Sequence, residues 1–352
     1  MTRSSDDPIS RWPDLPMTRS QLTDLLSRLH SVSIGVVGDF CLDAYWQLDE
    51  GETELSLETG KPTFAVAQQH YSLGGAGNVV NNIAALGVDR IYAYGVLGED
   101  LFGEELLRRL KTVNTDIGGL IRQEADWQTS VYAKPYRGPE EQSRIDFGRA
   151  NVLSQDSEQQ LIAALTEGIV RLDALAVNQQ IPKSIFTPGV IAALNNLALQ
   201  YPEKVFLVDS RHRIREFGSM ICKLNAIETA ALFGTTIRKN EDCAIEELGD
   251  YAKRLFEQSR KPVFITRSRR GLLLFDGNGT SEIPAIEVED PIDPVGAGDT
   301  VVAALASALA AGATLLEAGS FAMVAAAITV RKLQQTGTAQ PHEILRLTQS
   351  LP

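Results

Sequence analysis

Short apolar runs alternate with longer amphipathic segments through the second half of the chain, and this rhythm restricts the fold more than any other sequence feature. Four runs have the character of buried strands: DALAVN, KVFLVDS, PVFITRS and GLLLFD. Apolar residues at helical spacing occupy the segments before and between them, at residues 158–171, 188–199, 227–233 and 246–258. Continuously apolar strands separated by helices indicate a mostly parallel sheet with helices on both faces. The predicted fold class is therefore α/β.

The first half of the chain contains the same pattern with two interruptions. Residues 32–39 and 90–98 are predicted strands, and residues 20–30, 74–87 and 100–113 are predicted helices. Residues 1–17 have the composition of a loose extension, so we assign residues 1–30 to an extension with one helix and residues 31–352 to a single domain. Two irregular segments, at about residues 44–70 and 125–147, are expected to form a small second sheet at the mouth of the main one.

Charge and composition restrict the partners. The 352 residues carry a net charge of −12, which argues against nucleic acid and anionic membranes as main partners. The first thirty residues are too polar for a signal peptide, and no apolar run approaches the ~20 residues that span a bilayer. Three cysteines without a CxxC spacing argue against a disulfide framework or a zinc site. We expect a soluble cytoplasmic protein that binds a small molecule.

The segment PIDPVGAGDT, at residues 291–300, is the strongest local indication of chemistry. The backbone N–H groups of Gly296, Ala297 and Gly298 can approach a ligand closely at the start of a helix, where the helix dipole favours an anion. Asp299 would then be placed to take a proton from a hydroxyl that attacks a bound phosphoryl group. The alternative is that Asp299 only caps the helix, since aspartate is a favoured capping residue.

Other nucleotide and hydrolase motifs are absent from the sequence. It contains no Walker A, GxSxG or HExxH motif, and GGAGNVV at residues 74–80 lacks the GxGxxG spacing of dinucleotide-binding proteins. A nicotinamide-dependent oxidoreductase is therefore disfavoured, and tight binding of NAD would distinguish that class.

DPVGAGDT at 293–300, together with GGAGNVVNNIAALG at 74–87, resembles the paired signatures of the ribokinase-like, or PfkB, carbohydrate kinases. The resemblance extends over about residues 32–346. It is closest to the heptose-7-phosphate kinases, through VVGDFCLDAYW, SRIDFG, FLVDSR and KLNAIETAALFG. Only their kinase domain is matched, so only the kinase step is implied. The expected fold is a ribokinase-like parallel sheet with a small β-sheet lid, and the expected cofactors are ATP and Mg²⁺, with a monovalent cation such as K⁺ near the Asp293 loop.

The resemblance also implies roles for individual residues. Asp299 would be the catalytic base, beside an anion hole at Gly296, Ala297 and Gly298. Sugar hydroxyls would be bound by four residues: Asp43, Gly74, Gly75 and Asn78. Asn225 and Glu228 would organise magnesium, through water, and the nucleotide phosphates, and Thr266 and Gly271 would border the nucleotide. Two alternatives stay open: Asn78 as a surface helix residue, and Glu228 as a solvated carboxylate in a first helical turn.

The two irregular segments would form the family's lid over the sugar, which often also makes a dimer contact, so a homodimer is expected. Lys134 and Arg144 on the lid are candidates for binding a phosphate already on the substrate, although either is equally consistent with a solvated strand. Gln180 stands where an acidic sugar contact is expected, and Cys41 stands where many sugar kinases have asparagine. Both departures leave the sugar's identity open.

We expect an ATP-dependent kinase of a sugar or sugar phosphate, with heptose 7-phosphate favoured. Two alternatives remain: a kinase of an unphosphorylated hexose, pentose or nucleoside, and a non-catalytic regulatory protein that binds a sugar or nucleotide. A turnover screen with a sugar panel separates them, because a pure binding protein would show saturable sugar binding without turnover.

Overall fold

The computed structural model describes residues 9–11, 15–49, 51–52, 54–237, 243–333 and 336–348. Of the loose extension predicted at residues 1–17, residues 1–8 and 12–14 lie outside the described part of the chain. The described helices are α1 (Arg19–Leu29), α2 (Ala76–Ala85), α3 (Leu101–Thr112), α4 (Gln155–Gly168), α5 (Pro188–Gln200), α6 (Ala226–Leu232), α7 (Ile245–Ser259), α8 (Ala297–Ala310), α9 (Leu315–Thr329) and α10 (Pro341–Leu347). None of these described helices is long and apolar enough to cross a bilayer.

The described strands fall into a main sheet, a second sheet and one isolated pair. They are β1 (Ile9–Arg11), β2 (Ser33–Gly38), β3 (Phe40–Asp49), β4 (Ala65–Gly75), β5 (Arg90–Gly98), β6 (Thr115–Gln123), β7 (Ser130–Arg137), β8 (Glu140–Glu141), β9 (Ile145–Phe147), β10 (Ala174–Gln179), β11 (Val205–Ser210), β12 (Ile221–Asn225), β13 (Val263–Thr266), β14 (Leu272–Phe275), β15 (Thr280–Ile283) and β16 (Glu287–Val288). The pair is β1 with β16.

The main sheet has the strand order β15-β14-β13-β12-β11-β10-β2-β5-β6. The strands from β13 to β6 are mutually parallel, and β14 and β15 add an antiparallel edge. Alternate residues of the central strands enter two separate cores. Ala174 and Ala176 of β10 pack on the side of α8 and α9, whereas Leu175 and Val177 pack on the side of α4 and α5. The predicted α/β class, with helices on both faces, is confirmed.

The second sheet has the order β4-β3-β7-β8, and β9 also pairs with β7. It continues directly from the main sheet, since only Asp39 separates β2 from β3. One face of β3, which carries Phe40, Leu42 and Ala44, is buried in the α8-side core. Because side chains alternate along a strand, the opposite face carries Cys41 and Asp43. We call this second sheet the lid; the assignment of domain boundaries to residues 1–30 and 31–352 stays a prediction.

Strands β6, β12 and β15 were not predicted from the apolar pattern. β6 and β15 lie at the two edges of the main sheet, where one side of a strand meets solvent and the apolar run is broken. β12 is central, but its run ICKLN contains Lys223, which is buried. Because this lysine interrupts the run of apolar residues, a search for apolar runs does not identify β12 as a strand.

Two glycines begin the helices that carry the predicted signatures. Gly75 precedes α2 with a φ of 54°, and Gly296 precedes α8 with a φ of 79°. Both angles lie in the left-handed region that glycine adopts without a steric penalty. Gly296, and not Asp299, is therefore the N-cap residue of α8, and no side chain caps that helix. The alternative interpretation of Asp299 as the helix cap is wrong.

Candidate active site

Asp299 is the third residue of α8 and is held by two side-chain amides. Its Oδ2 accepts a hydrogen bond from Nδ2 of Asn78 over 2.8 Å, and its Oδ1 accepts one from Nε2 of Gln180 over 3.0 Å. Asn78 is the third residue of α2, and Gln180 directly follows β10 at the carboxyl end of that strand. The structure thus brings together three of the predicted site residues from three distant parts of the chain.

A buried polar network fixes Asn78. The residue is fully buried, which excludes the surface-helix alternative. Its Oδ1 accepts a hydrogen bond from Nδ2 of Asn82 over 3.2 Å, and Oδ1 of Asn82 accepts one from Oγ1 of Thr300 over 2.8 Å. These contacts leave Nδ2 of Asn78 to face Asp299. The sequence analysis missed Asn82 and Thr300, although both lie within the quoted signatures.

The surroundings of Asp299 raise its pKa to about 6. Burial is the largest cause, because a charged carboxylate loses hydration there. The hydrogen bond from Asn78 opposes this increase, nearby Asp209 adds to it, and Lys223 reduces it. A carboxylate with this pKa is ionised near neutral pH and still basic enough to accept a proton, as general-base catalysis requires.

A second carboxylate, Asp39, fixes the loop that carries Gln180. Its Oδ2 accepts hydrogen bonds from the backbone N–H groups of Gln180, over 2.8 Å, and Ile181, over 2.9 Å. Asp39 is buried, and that burial raises its pKa despite these hydrogen bonds. The sequence analysis placed Asp39 at the end of a strand and gave it no role; its position directly after a buried strand was the available signal.

On the lid, the predicted sugar contact Asp43 pairs with the predicted phosphate contact Lys134. Nζ of Lys134 lies 3.0 Å from Oδ1 of Asp43 and 4.8 Å from the centre of the Tyr45 ring. Burial alone would lower the pKa of Lys134, but Asp43 and Tyr45 more than offset it and raise that pKa. A Cβ atom at Gly74 would stand 2.9 Å from Oδ2 of Asp43, so a larger residue there would displace the carboxylate.

Arg144 is also paired already. Its guanidinium contacts both oxygens of Asp146, at 2.6 and 3.0 Å, and lies 4.5 Å from the centre of the Tyr132 ring. The hydrogen bonds that Arg144 donates to Asp146 raise the pKa of Arg144. Arg144 lies between β8 and β9 rather than on a strand, and it is exposed. A substrate phosphate would therefore compete with a carboxylate for each of the two lid cations.

A cavity of about 610 Å³ extends from the start of α8 to the β13–β14 turn. The predicted residues Asn225, Thr266, Gly271, Ala297 and Gly298 all line it. Among the described lining residues there are four cations and no carboxylate; the cations are Lys223, Arg267, Arg269 and Arg270. Three of these cations are paired with carboxylates outside the lining: Lys223 with Asp209, Arg267 with Glu282 and Arg269 with Asp290. Because the cations line the cavity and these partners do not, the lining suits an anionic ligand.

Asn225 and Glu228 form a reciprocal cap at the start of α6. Oδ1 of Asn225 accepts from the backbone N–H of Glu228 over 2.8 Å, and Oε2 of Glu228 accepts from that of Asn225 over 3.0 Å. Burial and nearby Asp209 raise the pKa of Glu228. Glu228 is thus not the freely solvated carboxylate of the alternative interpretation.

Lys223 and Asp209 form a buried ion pair beside the start of α8. They lie directly opposite each other on β12 and β11, and Nζ of Lys223 is 2.9 Å from Oδ2 of Asp209. A Cβ atom at Gly298 would stand 3.3 Å from that Nζ, so the ammonium group adjoins the predicted anion hole. The sequence analysis missed Lys223; a lysine inside an otherwise apolar run was the signal for it.

A sequence profile described as pfkB family carbohydrate kinase matches residues 36–342. Among curated relatives, the bifunctional protein HldE of Trichlorobacter lovleyi is 33% identical over 94% of this chain and 65% of its own length. HldE of Citrifermentans bemidjiense is 32% identical over 94% of this chain and 66% of its own. The chain thus spans just under two thirds of the length of these relatives.

Solved structures with low sequence identity share the fold. Phosphofructokinase-2 from Escherichia coli in complex with potassium superimposes with a TM-score of 0.69 at 21% identity, over 90% of this chain and 98% of that one. Ribokinase of Arabidopsis thaliana, complexed with ribose and ATP, has a TM-score of 0.67 at 20% identity, over 90% and 99%. The predicted ribokinase-like arrangement with a lid is thereby confirmed.

Proposed function

Because the chain belongs to the PfkB family of carbohydrate kinases, we propose that it transfers the γ-phosphoryl group of ATP to a hydroxyl of a sugar phosphate. The family makes it a phosphotransferase with an alcohol group as acceptor. The observation that carries the finer proposal is the position of Asp299. This carboxylate lies in the first turn of α8, whose start lines the basic cavity, and it binds Asn78 and Gln180, two residues expected to contact the sugar.

In this proposal Asp299 takes the proton of the acceptor hydroxyl, whose oxygen attacks the γ-phosphorus while the bond to ADP breaks. The backbone N–H groups of Gly296, Ala297 and Gly298 stabilise the charge on the transferred group. Lys223 adds a positive charge at the same point. The sugar is surrounded by five residues: Asp43, Gly74, Gly75, Asn78 and Gln180.

The nucleotide is assigned to the basic cavity, bordered by Thr266 and Gly271. Asn225 and Glu228 are assigned to the magnesium site, through water. Burial and nearby Asp209 raise the pKa of Glu228, and a divalent cation would relieve the repulsion between these two carboxylates. When bound, magnesium neutralises charge on the β- and γ-phosphates. A K⁺ ion near the Asp293 loop is part of the same proposal.

Heptose 7-phosphate is the favoured acceptor, because the sequence most resembles the heptose-7-phosphate kinases. Lys134 and Arg144 are the proposed phosphate contacts, since charge-assisted bonds to phosphate are strong and directional. A second candidate is a neutral hexose, pentose or nucleoside. It is favoured by the carboxylate partners that these two cations already have, Asp43 and Asp146. A non-catalytic binding protein is not favoured, because such a protein would not need Asp299 in this position.

A homodimer through the lid is also proposed. The loop between β3 and β4, together with the first residues of β4, exposes four large apolar side chains, as an interaction surface would: Leu55, Leu57, Phe64 and Val66. Light scattering coupled to size-exclusion chromatography tests this. A Leu57→Lys variant that shifts the mass from dimer to monomer would support the proposal, and a wild-type monomer would contradict it.

The function itself is tested by turnover with Mg²⁺ and ATP on a panel of heptose 7-phosphate, fructose phosphates and free sugars. The highest kcat/KM on a phosphorylated sugar would support the favoured assignment. The highest value on a neutral sugar would favour the second candidate, and saturable binding without any turnover would overturn the kinase proposal.

A further inference from the structure

The two amides that hold Asp299 differ in their freedom to move. Asn78 is buried, and its amide is fixed by Asn82. Gln180 is partly exposed, and among the described residues its side chain makes one hydrogen bond, to Oδ1 of Asp299. The Gln180 amide can therefore leave the carboxylate without disrupting any other described contact.

The backbone of Gln180, in contrast, is fixed. Its N–H and that of Ile181 both bind Oδ2 of buried Asp39, and the backbone N–H of Arg211 donates to the carbonyl of Gln179 over 3.0 Å. Any displacement of the amide must therefore arise from rotation of the side chain. Such rotations in exposed residues take picoseconds to nanoseconds, so they would not limit turnover.

In the ligand-free arrangement, both oxygens of Asp299 already accept a hydrogen bond from a side-chain amide. A general base must lie within hydrogen-bonding reach of the hydroxyl whose proton it takes. Oδ2 is engaged by the fixed Asn78 amide, and Oδ1 is engaged by Gln180. The donor on Oδ1 stands where an acceptor hydroxyl would donate.

We propose that Gln180 is a positioning residue that occupies Oδ1 of Asp299 until a sugar hydroxyl replaces it, and that it thereby suppresses phosphoryl transfer to water. This inference rests on the proposed kinase function. A sugar brings further contacts with the lid and with the start of α2, which offset the loss of the amide bond. Water brings no such contacts.

The suppressed side reaction is ordinary hydrolysis. A water molecule at Oδ1 gives a proton to Asp299, and its oxygen forms a bond to the γ-phosphorus. The bond between that phosphorus and the bridging oxygen of ADP breaks, which yields ADP and inorganic phosphate. No other reactant is needed.

The test compares Gln180→Met, which keeps the bulk of the side chain but removes the donor, with Gln180→Ala, which removes both. The matched control is Gln160→Met on α4, because Gln160 also donates to a carboxylate, that of Asp156, but far from the site. We measure release of phosphate from Mg-ATP without sugar, and transfer to the best sugar of the panel. Both Gln180 variants should raise the rate of phosphate release without sugar at least tenfold, which loss of a sugar contact would not do, and the control should leave that rate unchanged.

An unchanged rate of sugar-free phosphate release in both Gln180 variants of an enzyme that phosphorylates its sugar would overturn this inference and leave the kinase function standing. A wild type that phosphorylates none of the sugars would instead overturn the function. A readout without turnover then decides the inference: ¹³C NMR titration of the Asp299 carboxyl in the ligand-free protein. Loss of the Gln180 donor should raise that pKa, because the bond favours the ionised form, and an unchanged titration would refute the contact.

Discussion

Nδ2 of Asn78 donates a hydrogen bond to Oδ2 of Asp299 over 2.8 Å, although 221 residues separate the two in the sequence. The contact joins α2, which lies between the two chain segments that form the lid, to α8 near the end of the chain. It helps to fix the direction of the carboxylate, whose other oxygen accepts a hydrogen bond from Gln180. The first two predictions concern this pair.

Replacing Asp299 with asparagine should reduce kcat by about 10²–10⁴-fold, the usual contribution of a general base. The substitution preserves size, so the fold should remain intact. Steady-state turnover measures the first effect, and circular dichroism checks the second. Undiminished transfer by a correctly folded variant would refute the assignment of the base.

The pH dependence of kcat/KM should follow ionisation of Asp299. The raised pKa of about 6 means that the base is protonated and inactive below that value. Activity should fall tenfold for each pH unit below about 6 and reach a plateau above it. In Asn78→Ala the acidic limb should move to higher pH, since the lost hydrogen bond had favoured the ionised form. A limb at the same pH in both proteins would contradict this.

Magnesium should be required, and Glu228→Gln should raise the Mg²⁺ concentration that gives half-maximal rate. The matched control is Glu317→Gln, because Glu317 makes the same reciprocal cap at the start of α9. Its capping partner Thr314 does not line the cavity, whereas Asn225, the capping partner of Glu228, does. A shift in Glu228→Gln alone would support the magnesium assignment. An equal shift in both variants, or full activity after exhaustive chelation, would contradict it.

A double variant, Lys134→Ala with Arg144→Ala, removes the two proposed phosphate contacts of the lid. It should raise KM for a phosphorylated sugar tenfold or more while KM for ATP stays unchanged. Arg137→Ala is the control, because Arg137 is a lid cation that lies over an aromatic ring, that of Phe64. If KM for a neutral sugar rises by the same factor, the cations do not bind phosphate.

Gly75→Ala should destabilise the fold more than Gly60→Ala. Both glycines have a positive φ, of 54° and 65°, so each substitution incurs a backbone penalty of about 1–3 kcal/mol. At Gly75 the new Cβ would also stand 2.4 Å from the carbonyl oxygen of Asp39, whereas nothing lies within 4 Å at Gly60. Urea denaturation measures both, and equal losses would show that the contact at Gly75 relaxes without cost.

The sequence predicted the α/β class and the start of α8 because both depend on local patterns. Apolar runs identify the buried strands, and the small residues of DPVGAGDT identify a helix start that a ligand can approach. The family resemblance gave Asn78 and Gln180 as site residues, but it did not predict that both would bind Asp299. That arrangement depends on which strand and helix ends become neighbours.

The ion pairs of the site could not be predicted from the sequence for the same reason. Lys223 interrupted the apolar pattern of β12, and only the register of β12 with β11 places it opposite Asp209. Lys134 was predicted as a phosphate contact without knowledge that Asp43, on the adjacent strand, would neutralise it. Local propensity carries no information about such cross-strand partners.

The single-residue connection at Asp39 has a mechanical consequence. Its backbone N–H binds the carbonyl of Asn178, its carbonyl binds the N–H of Ala76, and its carboxylate binds the Gln180 loop. These contacts fix the base of the lid. We expect the lid to be more flexible further from this base, where the pairing of β3 with β4 is irregular between Gln47 and Leu48. Backbone amides of β3 beyond Gln47 should exchange with deuterium faster than those before it, and uniform exchange would contradict this. Acceptors of different size would then be accommodated by the outer lid, while the geometry around Asp299 stays constant.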